Sequence, residues 1–173
     1  PNRALALAGA ACGRPVDVHC ARALNCPRGG GPVRRHNAIR EAVARWIREV
    51  GHHALIEQTI TEWHTEADGA ALLDVVYHGS LHGRVCLDIS LVDCVAVAQA
   101  GRAFKPALQR REKVKHRRYP FEGMMPFVLD INGRWGAEAE TWLRRVVGEL
   151  PEAERPHARC SLRSAVARAL QGQ

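Results

Sequence analysis

Two aspartates interrupt apolar runs, Asp74 in LLDVV and Asp88 in CLDIS. A carboxylate inside a buried strand is costly unless it is paired or binds a metal. The runs ALLDVVY (71–77) and RVCLDISLV (84–92) flank the glycine-bearing turn HGSLHG (78–83), the pattern of a β-hairpin. Adjacent antiparallel strands lie about 4.8 Å apart, so facing aspartates on one hairpin could share a divalent cation. Oxygen donors suit Mg2+ or Mn2+. An ion held there could activate water and neutralise charge on a phosphodiester. The competing reading is a pair of strand-end aspartates, exposed or capping turns.

Immediately downstream, residues 102–118 carry Arg102, Lys105, Arg110, Arg111, Lys113, Lys115, Arg117 and Arg118 against Glu112 alone, a net +7. That equals the net charge of the whole chain of 173 residues, in which 25 Lys+Arg face 18 Asp+Glu. Residues 1–36 sum to +5 and residues 37–101 to −5. An acidic middle between basic flanks could hold a cation while gripping a polyanion. The plainer alternative is a solvated helix face.

Three of the six cysteines crowd the first 36 residues, with His19 and His36. Cys12, His19, Cys20 and Cys26 are candidate zinc ligands, but no CxxC pair is present to let one tight turn aim two ligands at a metal. The scattered spacing does not suggest a disulfide framework.

Residues 1–36 read as loop, ending in the breaker CPRGGGP (Cys26–Pro32). Asn37 is then a good helix N-cap. Ile39, Val43, Trp46, Ile47 and Val50 follow at helical spacing, and Gly51 closes the segment. HALIEQTI (53–60) alternates as a strand. Val95–Arg118 suits a helix whose start is broken by Gly101 and Pro106. MMPFVLDI (124–131) reads as a buried strand, GAEAETWLRRVVGEL (136–150) as a helix, and residues 160–170 as a last amphipathic helix. The order predicts a mixed α/β (α+β) layout with a small sheet.

The length allows one domain of ordinary size. Hydrophobic content of 46% and charged content of 25% exclude wholesale disorder. No apolar run approaches the roughly 20 residues that span a bilayer, so no membrane partner is expected. PNRALALAGAACG lacks the layout of a signal peptide. A soluble intracellular chain is expected, and the start at Pro1 suggests a piece of something longer.

The succession RRHN (34–37), LLDVV, CLDIS and KxxRY (Lys115–Tyr119) resembles a restriction-like endonuclease domain. The family is the PD-(D/E)XK nuclease at the C-terminus of one class of non-LTR retrotransposon reverse transcriptase polyproteins. MPFVLDINGRWGAEA (125–139) also resembles the tail that follows that nuclease. The resemblance covers roughly residues 9–150 and rests on the order of several short motifs. It implies a restriction-endonuclease-like fold, a small mixed sheet flanked by helices. It also implies a degenerate zinc-knuckle-like segment over 1–33, the nuclease over 34–150 and a helical tail over 151–173.

By the same resemblance, Asp74 matches the first metal-binding aspartate and Asp88 the second acid, with Asp93 an alternative if the register differs. Leu73 stands where the family has Pro. The lysine expected two residues after the second acid is Ser90 here; Lys115, with Lys113 its neighbour, is the implied substitute. Glu41 is an accessory acid. Arg35 and His36 match an Arg-His pair, structural or DNA-contacting; a plain helix-start hydrogen bond is the other reading of His36. Arg110, Arg111, Lys113, Lys115, Arg117 and Arg118 would hold the phosphate backbone. Gly9 and Arg22 stand where the family's zinc knuckle has Cys and His, so an eroded Zn2+ site is expected, with His19 and Cys20 as substitutes. The implied function is a Mg2+- or Mn2+-dependent endonuclease that nicks DNA. Its implied partners are DNA, element RNA and an upstream reverse transcriptase, in the nucleus. The alternatives are an inactive nucleic-acid-binding remnant of the same fold and an N-terminal zinc-dependent interaction module.

Overall fold

The structure is a computed structural model and describes residues 30–65, 69–80, 83–93 and 104–172. Four strands, β1 (Ala54–Thr65), β2 (Gly69–Gly79), β3 (Gly83–Val92) and β4 (Met124–Asp130), form one sheet in that order. β2 pairs antiparallel with both β1 and β3, whereas β4 runs parallel to β3. A parallel neighbour requires a crossover, and helix α2 (Phe104–Arg118) lies within it. With α1 (Gly31–Glu49), α3 (Ala137–Gly148) and α4 (Arg155–Gln171), the chain has the mixed α+β fold that its patterning predicts.

Two helices begin earlier than expected, for one reason. α1 starts at Gly31 rather than after Asn37, with left-handed Gly30 before it and Pro32 in its first turn. α4 starts at Arg155 rather than near residue 160, with Pro156 in its first turn. Proline's fixed φ suits the first turn, where its missing N–H is not needed. What reads as a breaker is in each case a helix start. α2 also carries its proline, Pro106, near its beginning; residues 94–103, expected as earlier helix, lie outside the described residues.

The main core joins α1, α3 and α4 to the sheet. Ile39, Val43 and Ile47 meet Val75, Leu87, Ile89, Phe127, Leu129, Trp142, Leu162 and Val166 there, all nearly fully buried. Trp46 Nε1 donates to the Ala158 carbonyl at 2.9 Å and to Ser161 Oγ at 3.1 Å, tying α1 to α4. The stretch read as a C-terminal tail thus shares the core of residues 34–150. Trp142 Nε1 donates to the Tyr77 hydroxyl at 2.8 Å.

Side chains alternate across a strand. Phe127 and Leu129 belong to the main core, while Val128 between them packs on Leu108 of α2. α2 therefore covers the opposite face. Asp88 and Ser90, alternating with Leu87 and Ile89, point to the side of α2. A second cluster of Ile60, Trp63, Ala71, Leu73, Val76, Cys86, Tyr119 and Met124 closes the far end of the hairpin.

The orientation of α2 is fixed by a buried acid. Glu112 Oε1 accepts the main-chain N–H of Glu138 at 3.1 Å, in the first turn of α3, where free N–H groups favour an anion. Burial nevertheless pushes the Glu112 carboxyl pKa above its ordinary value. A Cβ at position 136 would lie 2.3 Å from Glu112 Oε1 and 3.1 Å from the Val128 carbonyl, so a larger residue there must displace the Glu112 carboxylate. His116 Nε2 adds a 2.7 Å contact to Glu138.

Candidate active site

The β2–β3 ladder runs from Gly79 opposite Gly83 to Val75 opposite Leu87. One step further, Asp74 stands across from Asp88, and backbone pairing stops. The freed N–H of Ile89 donates instead to Asp74 Oδ2 at 2.7 Å. His36 Nε2, from the second turn of α1, lies 2.8 Å from Asp74 Oδ1. The first aspartate is thereby held from two sides, by a neighbouring strand and by a helix.

Asp88 is 6% exposed. Lys115 Nζ lies 2.7 Å from its Oδ1 and 2.6 Å from its Oδ2, and Lys115 is itself only 7% exposed. Desolvation pushes the Asp88 carboxyl pKa up, and the charge of Asp74 adds to that rise; Lys115 and Arg111 oppose it. An acid whose charge is disfavoured by burial and by a second acid is one that a cation would stabilise.

The two aspartates and Lys115 line one cleft of about 560 Å³, with His36, Asn37, Arg40, Glu57, Ser90, Arg111 and Arg118 on its walls. The cleft collects several of the residues that the sequence singles out and leaves others aside. Lys113 and Arg117 are exposed on α2, and Arg110 lines a neighbouring groove with Leu91, Val92 and Asp93. Arg35 is half-buried on α1 away from the cleft walls, and Glu41 makes a 3.5 Å ion pair with Arg40 instead of lining the cleft. Cys12, His19, Cys20 and Cys26 lie outside the described residues. Among the described residues, no group of three or more His, Cys, Asp or Glu is placed to hold a metal. No described helix is long and apolar enough to cross a membrane.

Two cleft residues carry no signal in the sequence. Arg40, one α-helical turn after His36, is 7% exposed and pairs with Glu57. Glu57 lies across from Asp74, between the pairs Ile56–Val75 and Gln58–Leu73, with φ at 51°. A left-handed backbone costs a non-glycine residue roughly 1–2 kcal/mol. Ser90, at the position of the missing lysine, is 4% exposed, and its Oγ has no hydrogen-bond partner among the described residues.

Compared with known proteins, the chain matches no family model, and no curated protein matches it as a relative.

Proposed function

We propose that this chain is a Mg2+-dependent DNA endonuclease domain that nicks duplex DNA. The observation that carries the reading is the placement of Asp74 and Asp88 across from each other where the ladder ends, with the Lys115 amine on Asp88. Two carboxylates and a buried, unpartnered Ser90 hydroxyl form a hard oxygen set, and Mg2+ commonly takes only one or two carboxylates and keeps its waters. An ion bound by Asp74 and Asp88 would lower the pKa of a bound water and offset charge on the phosphodiester.

The chain's own groups divide the remaining work. His36 and the Ile89 amide hold the Asp74 carboxylate in one orientation. Lys115, anchored on Asp88, carries a fixed ammonium that orients the attacking water or neutralises the scissile phosphate. Arg111 and Arg118 on the same wall give the DNA backbone cationic partners. Ser90 leaves the usual lysine position without charge, and Lys115 supplies it from α2. By the resemblance, the new 3′ end would prime an attached reverse transcriptase on element RNA, in the nucleus.

The test is relaxation of supercoiled plasmid by the purified chain with Mg2+ and with EDTA. Wild-type protein should nick only with the ion. Asp74→Asn, which keeps the side-chain shape, should lower nicking by at least about a hundredfold while DNA binding persists. Metal-independent binding without any nicking by the wild type would instead identify an inactive remnant that grips DNA.

A further inference from the structure

We propose that Arg40 forms a phosphodiester-binding subsite within the cleft and that the Glu57 carboxylate occupies it in the DNA-free protein. The inference rests on the nuclease reading and deepens it by naming the group that meets the backbone beside Asp74.

The pair is asymmetric. The Arg40 side chain is 9% exposed, whereas that of Glu57 is 58% exposed. The guanidinium is fixed under the cleft wall and its carboxylate partner stands in water. Releasing Glu57 therefore strands no buried anion, while Arg40 must always face some anion because an isolated buried charge is untenable. Its present partners do not satisfy it. A guanidinium offers five N–H donors. Glu57 takes one, Glu41 lies at 3.5 Å, and the buried Nε has no partner among the described residues. A phosphodiester presents oxygens in the fork geometry that a guanidinium binds best.

The backbone of Glu57 points the same way. Its left-handed φ, inside a strand and across from Asp74, accompanies a carboxylate that lines the cleft and pairs with Arg40. Strained non-glycine residues persist where the surroundings impose them, and they gather at ligand sites. Here the strain places an anion where the chain of a polyanion would cross. Arg111 and Arg118 reach the same cleft from α2, and Arg40 adds a cation from α1.

The experiment is a double-mutant cycle in DNA affinity. A fluorescent duplex oligonucleotide is titrated with the 173-residue chain in EDTA, across a salt series, by anisotropy. Glu57→Gln should tighten binding by about three- to tenfold at low salt. Arg40→Met should weaken it by about tenfold and flatten the salt dependence by about one phosphate contact. In the Arg40→Met background, Glu57→Gln should change affinity by less than about twofold. Equal tightening in both backgrounds, or none in either, overturns the subsite. Should Arg40→Met fail to fold by circular dichroism, Glu57→Gln is compared with Glu49→Gln, the same charge change elsewhere. Equal effects overturn the proposal and a larger Glu57 effect upholds it. Nicking is scored separately: coupling without nicking leaves the subsite standing and removes the nuclease, and nicking without coupling does the reverse. Absence of any duplex binding by the wild type overturns both.

Discussion

Lys115 spans from α2 to β3 and sets its ammonium against both carboxylate oxygens of Asp88, at 2.6 and 2.7 Å. Both groups are buried, so the pair must be kept or removed as a unit. Lys115→Met leaves an uncompensated carboxylate and should destabilise the fold by roughly 3 kcal/mol at neutral pH. The double variant Asp88→Asn/Lys115→Met should recover most of that loss in denaturant unfolding.

The single variant Lys115→Met has a pH signature. Burial raises the Asp88 pKa in the folded chain. Its contribution therefore favours the folded state at low pH and is lost as pH rises from the ordinary carboxylate range through the raised folded value. Removing Lys115 raises that value further. The deficit of Lys115→Met relative to wild type should be largest at neutral pH and shrink on acidification. A deficit that grew towards low pH would contradict the pairing.

On the proposed nuclease reading, His36 acts through Asp74, whose carboxylate it contacts at 2.8 Å. His36→Ala should lower Mg2+-dependent nicking by about 10–100-fold, the usual cost of removing a group that orients a metal-binding carboxylate. Affinity for the duplex in EDTA should stay close to wild type, because the arginines lining the cleft are untouched. An equal fall in affinity and nicking would assign His36 to DNA contact instead.

Gly136 and Glu112 should show coupled energetics. Gly136→Ala drives a methyl group into Glu112 Oε1 and should cost about 1–3 kcal/mol. Glu112→Ala removes both the clash and the acceptor for Glu138 N–H. Its double variant with Gly136→Ala should be much less unstable than the two single losses added together.

The cysteines offer a check on burial. Burial pushes the Cys86 thiol up to about 11, whereas Cys160 is exposed on α4. A short treatment with an alkylating reagent near neutral pH, followed by peptide mass mapping, should modify Cys160 and spare Cys86. Denaturant should make Cys86 reactive.

Much of this arrangement is legible in the residues. Asp74 and Asp88 break apolar strands, and a hairpin places such residues face to face. The sheet follows from β-rich runs with a glycine-bearing turn between two of them, and the helices from their apolar spacing. Other features escape because they are decided by tertiary packing. Nothing in AIREAV marks Arg40 as the polar side chain that α1 turns inward, since an arginine beside a glutamate looks like an exposed helix pair. Glu57 sits in an ordinary alternating strand, whose pattern carries no sign of its left-handed backbone or of its pairing with Arg40. The helix starts at Gly31 and Arg155 are hidden because proline reads equally as a stop and as a first-turn residue.

The left-handed Glu57 has a consequence for how the molecule keeps its own company. Among the described residues β1 forms one border of the sheet, a row of main-chain groups that another strand could extend. A residue bent out of the extended conformation, with a charged side chain, interrupts that row at the fourth of its twelve residues. The kink that accompanies an acid at the cleft therefore also spoils the template for strand addition and favours a dispersed, unaggregated protein.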